Sequence, residues 1–170
     1  MSRHFDIVRV DIGLTEFVSF MRDAKGATFA GSGRRTKTNM FRFYRFARNE
    51  WAYEDRYTGN LFDTGMEVIR YRKYPIWAMV YRGGVIEEHQ TLSGILFSFL
   101  KEALKRAPME MPVRGPAEYR AGDFIYKNVV RGSLLDFEGC EEICLNDIRL
   151  YYHRYQGGVV RDRRYVVSFL

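Results

Sequence analysis

Apolar residues recur along the chain with the period of a helix in two places. Residues 14–21 and 92–104 both follow the i, i+3, i+4, i+7 spacing of an amphipathic helix. In the second segment the apolar positions are Leu92, Ile95, Leu96, Phe99, Leu100, Ala103 and Leu104. Thr91 is expected to cap this helix, and Gly26 to end the first one. The pattern therefore predicts one helix in each half of the chain.

Short runs rich in β-branched and aromatic residues follow each helix. Turn residues separate them at 48–50 and 122–123. The predicted strands are 41–47, 51–57, 66–72 and 76–82 in the first half, and 117–121, 124–131, 139–145 and 148–155 in the second. Segments 4–10 and 84–89 read as strands leading into the helices. Residues 76–82 are apolar on both faces, which predicts a central strand.

The two halves also share residues in the same order. Tyr-x-Gly-Gly-Val occurs at 81–85 and again at 155–159, 74 positions later. The other matched pairs are Tyr53/Tyr126, Gly59/Gly132, Leu61/Leu134, Asp63/Asp136, Gly65/Gly139, Glu67/Glu141 and Ile69/Ile143. This order predicts a tandem duplication, with one repeat at about 4–83 and the other at about 84–160.

The predicted architecture follows from that repeat. Each unit reads as strand, helix, then antiparallel strands (βαβββ-like), and a last strand is expected at about 163–169. We expect one α+β domain over 1–170, in which the two units pair about a pseudo-two-fold axis with both helices on one sheet face. Each Gly-Gly pair is predicted to be a structural corner, because glycine tolerates positive φ and close backbone approach.

Composition narrows the class of protein. The chain is 46% hydrophobic and 16% aromatic, which predicts a folded protein, and its net charge is +6. It has no long apolar run and no apolar signal core, so we expect a soluble, cytoplasmic protein without membrane contact. Cys140 and Cys144 lie too far apart on a strand for a disulfide and should be reduced thiols. The histidines are scattered singly, so no metal site or cofactor is predicted.

A basic stretch without acidic residues runs from Ala24 to Asn49. Its arginines alternate with aromatic residues, a combination typical of single-stranded nucleic-acid binding. The residues that would contact RNA or single-stranded DNA are Arg34, Arg35, Lys37, Arg42, Arg45 and Arg48. The alternative interpretation is a solvated loop followed by a half-buried strand.

Aromatic residues on the two central strands indicate a different kind of site. We expect a cleft between the repeats, lined by Trp77, Tyr81, Tyr151, His153 and Tyr155. Glu67, Glu141 or Arg114 would orient a small molecule or a protein partner there. No serine or cysteine nucleophile lies beside a base, so no catalytic residue is assigned and the interpretation leans away from an enzyme. An exposed sheet face would favour a homodimer.

Several segments together resemble a family of uncharacterised bacterial and archaeal domains. They are AKGATFAGSG (24–33), YPIWAMVYRG (74–83), FLKEALKRAP (99–108), RGPAEYRAGDFIY (114–126), FEGCEEI (137–143) and YYHRYQGG (151–158). Some members of that family are fused to Xre-type helix-turn-helix regulators, a segment that this chain lacks. The resemblance implies a sensing or regulatory role, and the family supplies no established activity or catalytic residues to carry over.

Overall fold

The two predicted helices are present in the computed structural model, which describes residues 7–31 and 33–170. Helix α1 spans Leu14–Ala27 and helix α2 spans Ser93–Leu104. A 3-10 helix over Glu87–Leu92 leads directly into α2. Within the described residues, no helix has the length and apolar character needed to span a bilayer.

Eleven strands make up the rest of the described structure. They are β1 (Val8–Ile12), β2 (Thr36–Lys37), β3 (Arg42–Arg48), β4 (Trp51–Gly59), β5 (Phe62–Tyr71), β6 (Tyr74–Val85), β7 (Glu118–Ala121), β8 (Phe124–Ser133), β9 (Asp136–Leu145), β10 (Ile148–Val159) and β11 (Tyr165–Phe169). Nine of them form a sheet in the order β2-β3-β4-β5-β6-β10-β9-β8-β7, and its strand pairs are antiparallel. The fold is therefore α+β, as predicted.

The sheet consists of two antiparallel meanders that meet in its middle. Strands β3–β6 form one meander and β7–β10 the other, and β6 pairs with β10. Tyr81 lies directly opposite Tyr155 in this pair. The prediction of a central strand at 76–82 is thus confirmed, and β6 is longer than predicted at both ends.

Both helices pack on the same face of the sheet. Because side chains alternate along a strand, Tyr53, Trp77 and Tyr81 point toward that face together with their cross-strand neighbours. Helix α1 buries Phe17, Phe20, Met21 and Ala24 against the first meander, and α2 buries Leu96, Phe99, Leu100 and Ala103 against the second. The opposite face carries exposed residues such as Val80 and Val129.

The predicted corners at Gly-Gly are wrong. Strand β6 continues through Gly83-Gly84 to Val85, and β10 continues through Gly157-Gly158. Gly83 and Gly84 do have positive φ, at 155° and 148°, and a Cβ on Gly83 would lie 2.1 Å from a backbone oxygen of β10. Glycine is therefore required by the close approach of two strands rather than by a turn.

Two predictions next to α2 are also wrong. The strand expected at 84–89 stops at Val85, because the 3-10 helix begins at Glu87. Thr91 lies inside that 3-10 helix and does not cap α2, whose first residue is Ser93. The second half therefore lacks the leading strand of the predicted βαβββ unit.

The first and last strands form a separate two-stranded sheet. Strand β1 pairs in parallel with β11, with Val8 opposite Tyr165 and Ile12 opposite Phe169. Part of the strand predicted at 4–10 lies outside the described residues, and β1 itself extends to Ile12. Phe169 packs against Phe17 of α1, with ring centroids 5.1 Å apart. The chain ends thus close the side of the core next to α1.

Candidate functional site

A cavity of about 690 Å³ lies between the two helices and the sheet. Both meanders contribute to its wall, through Asp55 and Tyr81 on one side and Tyr151 and His153 on the other. Its volume lies in the range of sites for small organic molecules. Four carboxylates and six basic side chains line it: Asp23, Asp55, Asp63, Glu67, Arg22, Lys25, Arg35, Lys101, Lys105 and Arg114.

One wall of the cavity is an ion pair between α1 and β5. The Lys25 ammonium contacts Glu67 Oε2 at 2.5 Å and the carbonyl oxygen of Val113 at 2.9 Å. The Glu67 side chain is 5% exposed. Burial lowers the pKa of Lys25, and the negative charge of Glu67 opposes that effect. A lysine of the helix therefore neutralises a carboxylate that the sheet would otherwise bury alone.

Asp55 provides a second buried carboxylate a short distance along the same face. It accepts a hydrogen bond from the Tyr81 hydroxyl at 2.6 Å. Burial raises the pKa of Asp55 to about 7, and the nearby charge of Glu67 adds to the effect. Of the carboxylates that line the cavity in the described part of the chain, Asp55 is the one without a basic side chain within ion-pair distance. Asp55 can therefore accept a further hydrogen bond or form an ion pair with a bound ligand.

Glu141 is the centre of a third cluster, behind the cavity wall. It is fully buried and accepts hydrogen bonds from Nε and Nη2 of Arg114, from the Tyr126 hydroxyl at 2.6 Å and from the Tyr151 hydroxyl at 3.2 Å. Burial alone would raise the pKa of Glu141, but the charge and hydrogen bonds of Arg114 outweigh it and lower that pKa. The cluster fixes Arg114 and Tyr151, whose outer surfaces line the cavity.

His153 links the two meanders at the floor of the cavity. Its Nε2 lies 3.0 Å from Asp63 Oδ1, on β5. Its Nδ1 is buried without a hydrogen-bond partner among the described residues and lies 3.8 Å from Glu141 Oε1. A buried ring nitrogen without a partner is uncommon. Nε2 thus joins His153 to the cavity-lining Asp63, while Nδ1 faces the buried Glu141 cluster.

A family comparison bears on these residues. The profile of the family described as "Domain of unknown function (DUF5680)" matches residues 55–160, more than half of the chain. The chain belongs to this family. No curated protein and no solved structure matches the chain.

The DUF5680 match begins at Asp55 and includes both central strands. It covers Glu67, Tyr81, Arg114 and His153, so most of the polar wall of the cavity lies inside the family region. Lys25 and the rest of α1 lie before it. One wall of the cavity is thus contributed by a segment outside the match.

The predicted ligand-binding residues divide into two groups. Five of them line the cavity: Tyr81, Tyr151, His153, Glu67 and Arg114. Trp77, Tyr155 and Glu141 lie behind its wall. Trp77 is fully buried and donates from Nε1 to the Leu134 carbonyl oxygen at 2.8 Å, and Tyr155 donates to Asn128 at 2.6 Å. Trp77 and Tyr155 therefore hold the sheet together beneath the cavity.

The basic stretch does not form one surface. Arg42 and Arg48 share the helix-covered face, where Arg42 donates to the Gly59 carbonyl oxygen and Arg48 contacts Asp23. Arg45 projects from the opposite face and pairs with Glu54. Arg35 lies at the cavity with its guanidinium 3.5 Å from the Tyr57 hydroxyl, whereas Arg34 and Lys37 are exposed. Each face of β3 therefore carries arginine together with aromatic residues, and the stretch is divided between the two sides of the sheet.

Sequence reasoning missed Lys25 and Asp55 as members of the site. A signal for Asp55 was present, because Trp51, Tyr53, Asp55 and Tyr57 alternate on one face of β4 and Asp55 interrupts an otherwise aromatic face. A carboxylate at such a position is buried and needs a partner. Lys25 carries no comparable signal, since a lysine near the end of a helix usually reaches solvent.

Proposed function

We propose that this protein is a binding domain whose cavity accepts a small organic molecule with a protonated nitrogen. One observation carries the proposal: Asp55 is a buried carboxylate at the cavity that has a tyrosine donor and, among the described residues, no basic side chain within ion-pair distance. Buried charges in proteins are normally paired. A ligand ammonium, amidinium or guanidinium group would complete the set.

The walls around Asp55 support a cationic ligand with an apolar body. Tyr44, Tyr53, Tyr57 and Phe29 line the same end of the cavity, and the rings of Tyr44 and Tyr57 stack with centroids 6.2 Å apart. Aromatic faces attract cations as well as apolar groups. Glu67 and Asp63 already have Lys25 and His153 as partners, which leaves Asp55 as the anchoring residue.

We also infer that the chain arose by tandem duplication about a local two-fold axis through the β6–β10 pair. Equivalent backbone bonds support it: Val85 N–H donates to Leu61 and Val159 N–H to Leu135, at 2.7 and 2.9 Å, so that Leu61 corresponds to Leu135 and not to Leu134 as the sequence match had it. Ile86 N–H to Leu150 and Val160 N–H to Ile76 form a second such pair, at 2.9 and 3.0 Å.

The buried polar clusters follow the same correspondence. Glu67 and Tyr53 in the first half correspond to Glu141 and Tyr126 in the second. Each glutamate has a basic partner, but from non-equivalent positions: Lys25 at the end of α1 and Arg114 in the segment that follows α2. Asp55–Tyr81 corresponds to Asn128–Tyr155, with the same hydroxyl distance of 2.6 Å. At this position the first half has a carboxylate, Asp55, and the second half has the neutral amide of Asn128. We therefore assign cation binding to the first half. We also propose a sensing or regulatory role, which is supported by the family resemblance.

Native mass spectrometry of the freshly purified protein tests the binding proposal. We expect a non-covalent adduct in addition to the mass of the denatured chain. Asp55→Asn should remove the adduct without loss of fold, because Asn128 already makes the same bond to Tyr155. Asn128→Asp is the matched control, since it places the same two residue types in the half that we do not assign to binding, and it should leave the adduct unchanged.

A thermal-shift assay with tyramine, agmatine and choline extends the test to defined probes. Stabilisation by an amine should increase as the pH is raised through about 7, because Asp55 must lose its proton to pair with the cation. An adduct that survives Asp55→Asn contradicts the role of Asp55. Absence of both an adduct and any amine-dependent shift contradicts the proposal itself.

A further inference from the structure

The face of the sheet opposite the helices is open to solvent. Tyr81, His153 and Tyr155 point toward the helices, so the residues next to them in sequence, Arg82 and Arg154, point the other way. Both arginines are exposed. A depression of about 550 Å³ lies over this part of the sheet, with Arg82, Arg131 and Arg154 among its lining residues.

Two arginines occupy adjacent positions at the centre of this face. Arg82 on β6 is the direct cross-strand partner of Arg154 on β10. Neither forms an ion pair with any described residue. Like charges directly opposite one another on a sheet are destabilising. An anion placed between the two guanidinium groups would remove that repulsion and bind both.

An aromatic pair lies beside the two arginines. Phe62 and Tyr152 are both cross-strand partners of Gly84, and their ring centroids are 5.6 Å apart in an edge-to-face arrangement. The Arg82 guanidinium lies over Phe62 at 5.0 Å, and that of Arg149 lies over Tyr152 at 5.1 Å. Phe62 is 36% exposed. Flat aromatic rings thus lie next to guanidinium groups in the middle of the face; Arg149 is also 3.8 Å from Glu142, whereas Arg82 has no acidic partner among the described residues.

The same combination continues on the strands of the first meander. Arg56 lies over the ring of Phe41 at 5.0 Å and Arg45 over that of Phe43 at 4.7 Å. The face is also basic as a whole. Its cationic side chains on β3–β6 and β8–β10 are Arg45, Arg56, Arg70, Arg82, Lys127, Arg131, Arg149 and Arg154, whereas its acidic ones are Glu54, Asp136, Glu138 and Glu142.

We propose that this open sheet face binds single-stranded nucleic acid. Bases stack on Phe62 and Tyr152, and phosphates bind Arg82 and Arg154. Strands that present aromatic rings and guanidinium groups at this spacing suit a chain that alternates planar bases with phosphates. A second copy of the protein is a poor partner, because pairing two such faces would bring like charges together. The centre of the site, at Phe62, Arg82, Tyr152 and Arg154, is distinct from the basic stretch at 34–48, of which Phe41, Phe43 and Arg45 extend the same face.

Fluorescence anisotropy with a labelled 12-nucleotide oligo-uridine RNA and the matching oligo-thymidine DNA tests this proposal. The titrations are run on the full chain at several salt concentrations. One variant is Arg82→Gln/Arg154→Gln, and a second is Phe62→Leu/Tyr152→Leu. The control is Arg9→Gln/Arg164→Gln, which removes the same charge from exposed positions on or next to the small β1–β11 sheet.

The variants make separable predictions. Losing two phosphate contacts should weaken binding at least ~10-fold and reduce the slope of log K against log salt by about 1.4, because each neutralised phosphate contributes about 0.7 for single strands. Losing the two rings should weaken binding at least ~5-fold with the slope unchanged, because stacking carries no charge. Circular dichroism and thermal unfolding of each variant establish that the loss is not one of folding.

Four results would overturn the proposal. The first is equal weakening of binding by the Arg9/Arg164 control, and the second is tighter binding to duplex DNA or heparin than to either oligonucleotide. Both would indicate a general polyanion effect. Sedimentation analysis showing a dimer that is lost in the Arg82/Arg154 variant would assign the face to self-association. No binding at 50 mM salt would exclude the site. Each outcome is independent of the cavity, which lies on the other side of the sheet.

Discussion

Replacement of Arg114 by methionine is a sharp test of how the buried clusters are balanced. The Arg114 side chain is 10% exposed, and its partner Glu141 is completely buried. Methionine fills much of the same volume but brings no charge. Glu141 would keep the hydroxyl donors of Tyr126 and Tyr151 and would lose Arg114, the one lysine or arginine within ion-pair distance of it in the described part of the chain.

The expected cost follows from the asymmetry of buried ion pairs. Removing one member of such a pair typically destabilises a protein by about 3–5 kcal/mol, because the other charge stays buried without compensation. Two tyrosine hydrogen bonds to Glu141 remain, so we expect a value near the lower end, about 3 kcal/mol. That is a large share of the ~5–15 kcal/mol by which a typical domain is stable.

The stability difference between the parent and Arg114→Met should depend on pH. In the parent protein the pKa of Glu141 is held below its ordinary value, so the pair stabilises the fold above the unfolded-state pKa and loses that contribution as the pH falls through the folded-state pKa. Without Arg114, burial raises the pKa of Glu141 instead. The carboxyl then takes up a proton on mild acidification. The deficit of the variant should therefore be larger at pH 7.5 than at pH 5.0.

Urea unfolding followed by tryptophan fluorescence measures both quantities, since Trp51 and Trp77 are buried in the core. The double variant Arg114→Met/Glu141→Gln should recover most of the loss, because the uncompensated charge is gone. A loss below about 1 kcal/mol at both pH values would refute the reasoning. So would a double variant no more stable than Arg114→Met.

The remaining predictions concern Lys25 and Asp55 in the first half and the contact between Gly139 and the Tyr155 ring. Lys25→Met should cost less than Arg114→Met, because a single ammonium makes fewer directed bonds than a guanidinium; urea unfolding of the two variants side by side decides it. Gly139→Ala should destabilise the fold by about 1–3 kcal/mol, since its Cβ would lie 2.3 Å from the Tyr155 ring, and an unchanged midpoint would contradict this. Asp55→Asn should stabilise the empty protein increasingly from pH 4 to 7, by at most ~4 kcal/mol. In this range the Asp55 carboxyl of the unfolded chain is ionised while that of the folded protein, with a pKa of about 7, still holds its proton, so the parent loses stability as the pH rises. Equal gains at pH 5 and 8 would refute this prediction.

The sequence pattern was sufficient for the parts of the fold that depend on local order. Helical spacing located α1 and α2, and strand alternation with the turns at 48–50 and 122–123 located the two meanders. Five of the eight predicted ligand-binding residues line one cavity because alternation places them on one face. Trp77 and Tyr155 satisfy the same alternation, but burial depth depends on the packing of α1, which no local pattern encodes.

Other features depend on contacts between distant segments. The pairing of β1 with β11 joins the two ends of the described chain, and no residue in either strand signals its partner. Gly83-Gly84 has the composition of a turn, yet the ladder with β10 extends through it and overrides that tendency. Val85 and Ile86 look like the start of a strand, but the chain turns there into a 3-10 helix that positions α2.

The pairing of β6 with β10 has a consequence for the protein while it is being made. When the ribosome has completed β6, the strand that will cover its free edge is still about 60 residues from being synthesised. A nascent chain at this stage would carry a twelve-residue edge strand with apolar side chains on both faces, which is a ready template for pairing with another copy. Arg82 and the glycines near the end of β6 oppose such pairing with another copy until β10 is synthesised. The charge of Arg82 repels the same residue of a second chain, and the glycines lower the tendency of this segment to form a strand.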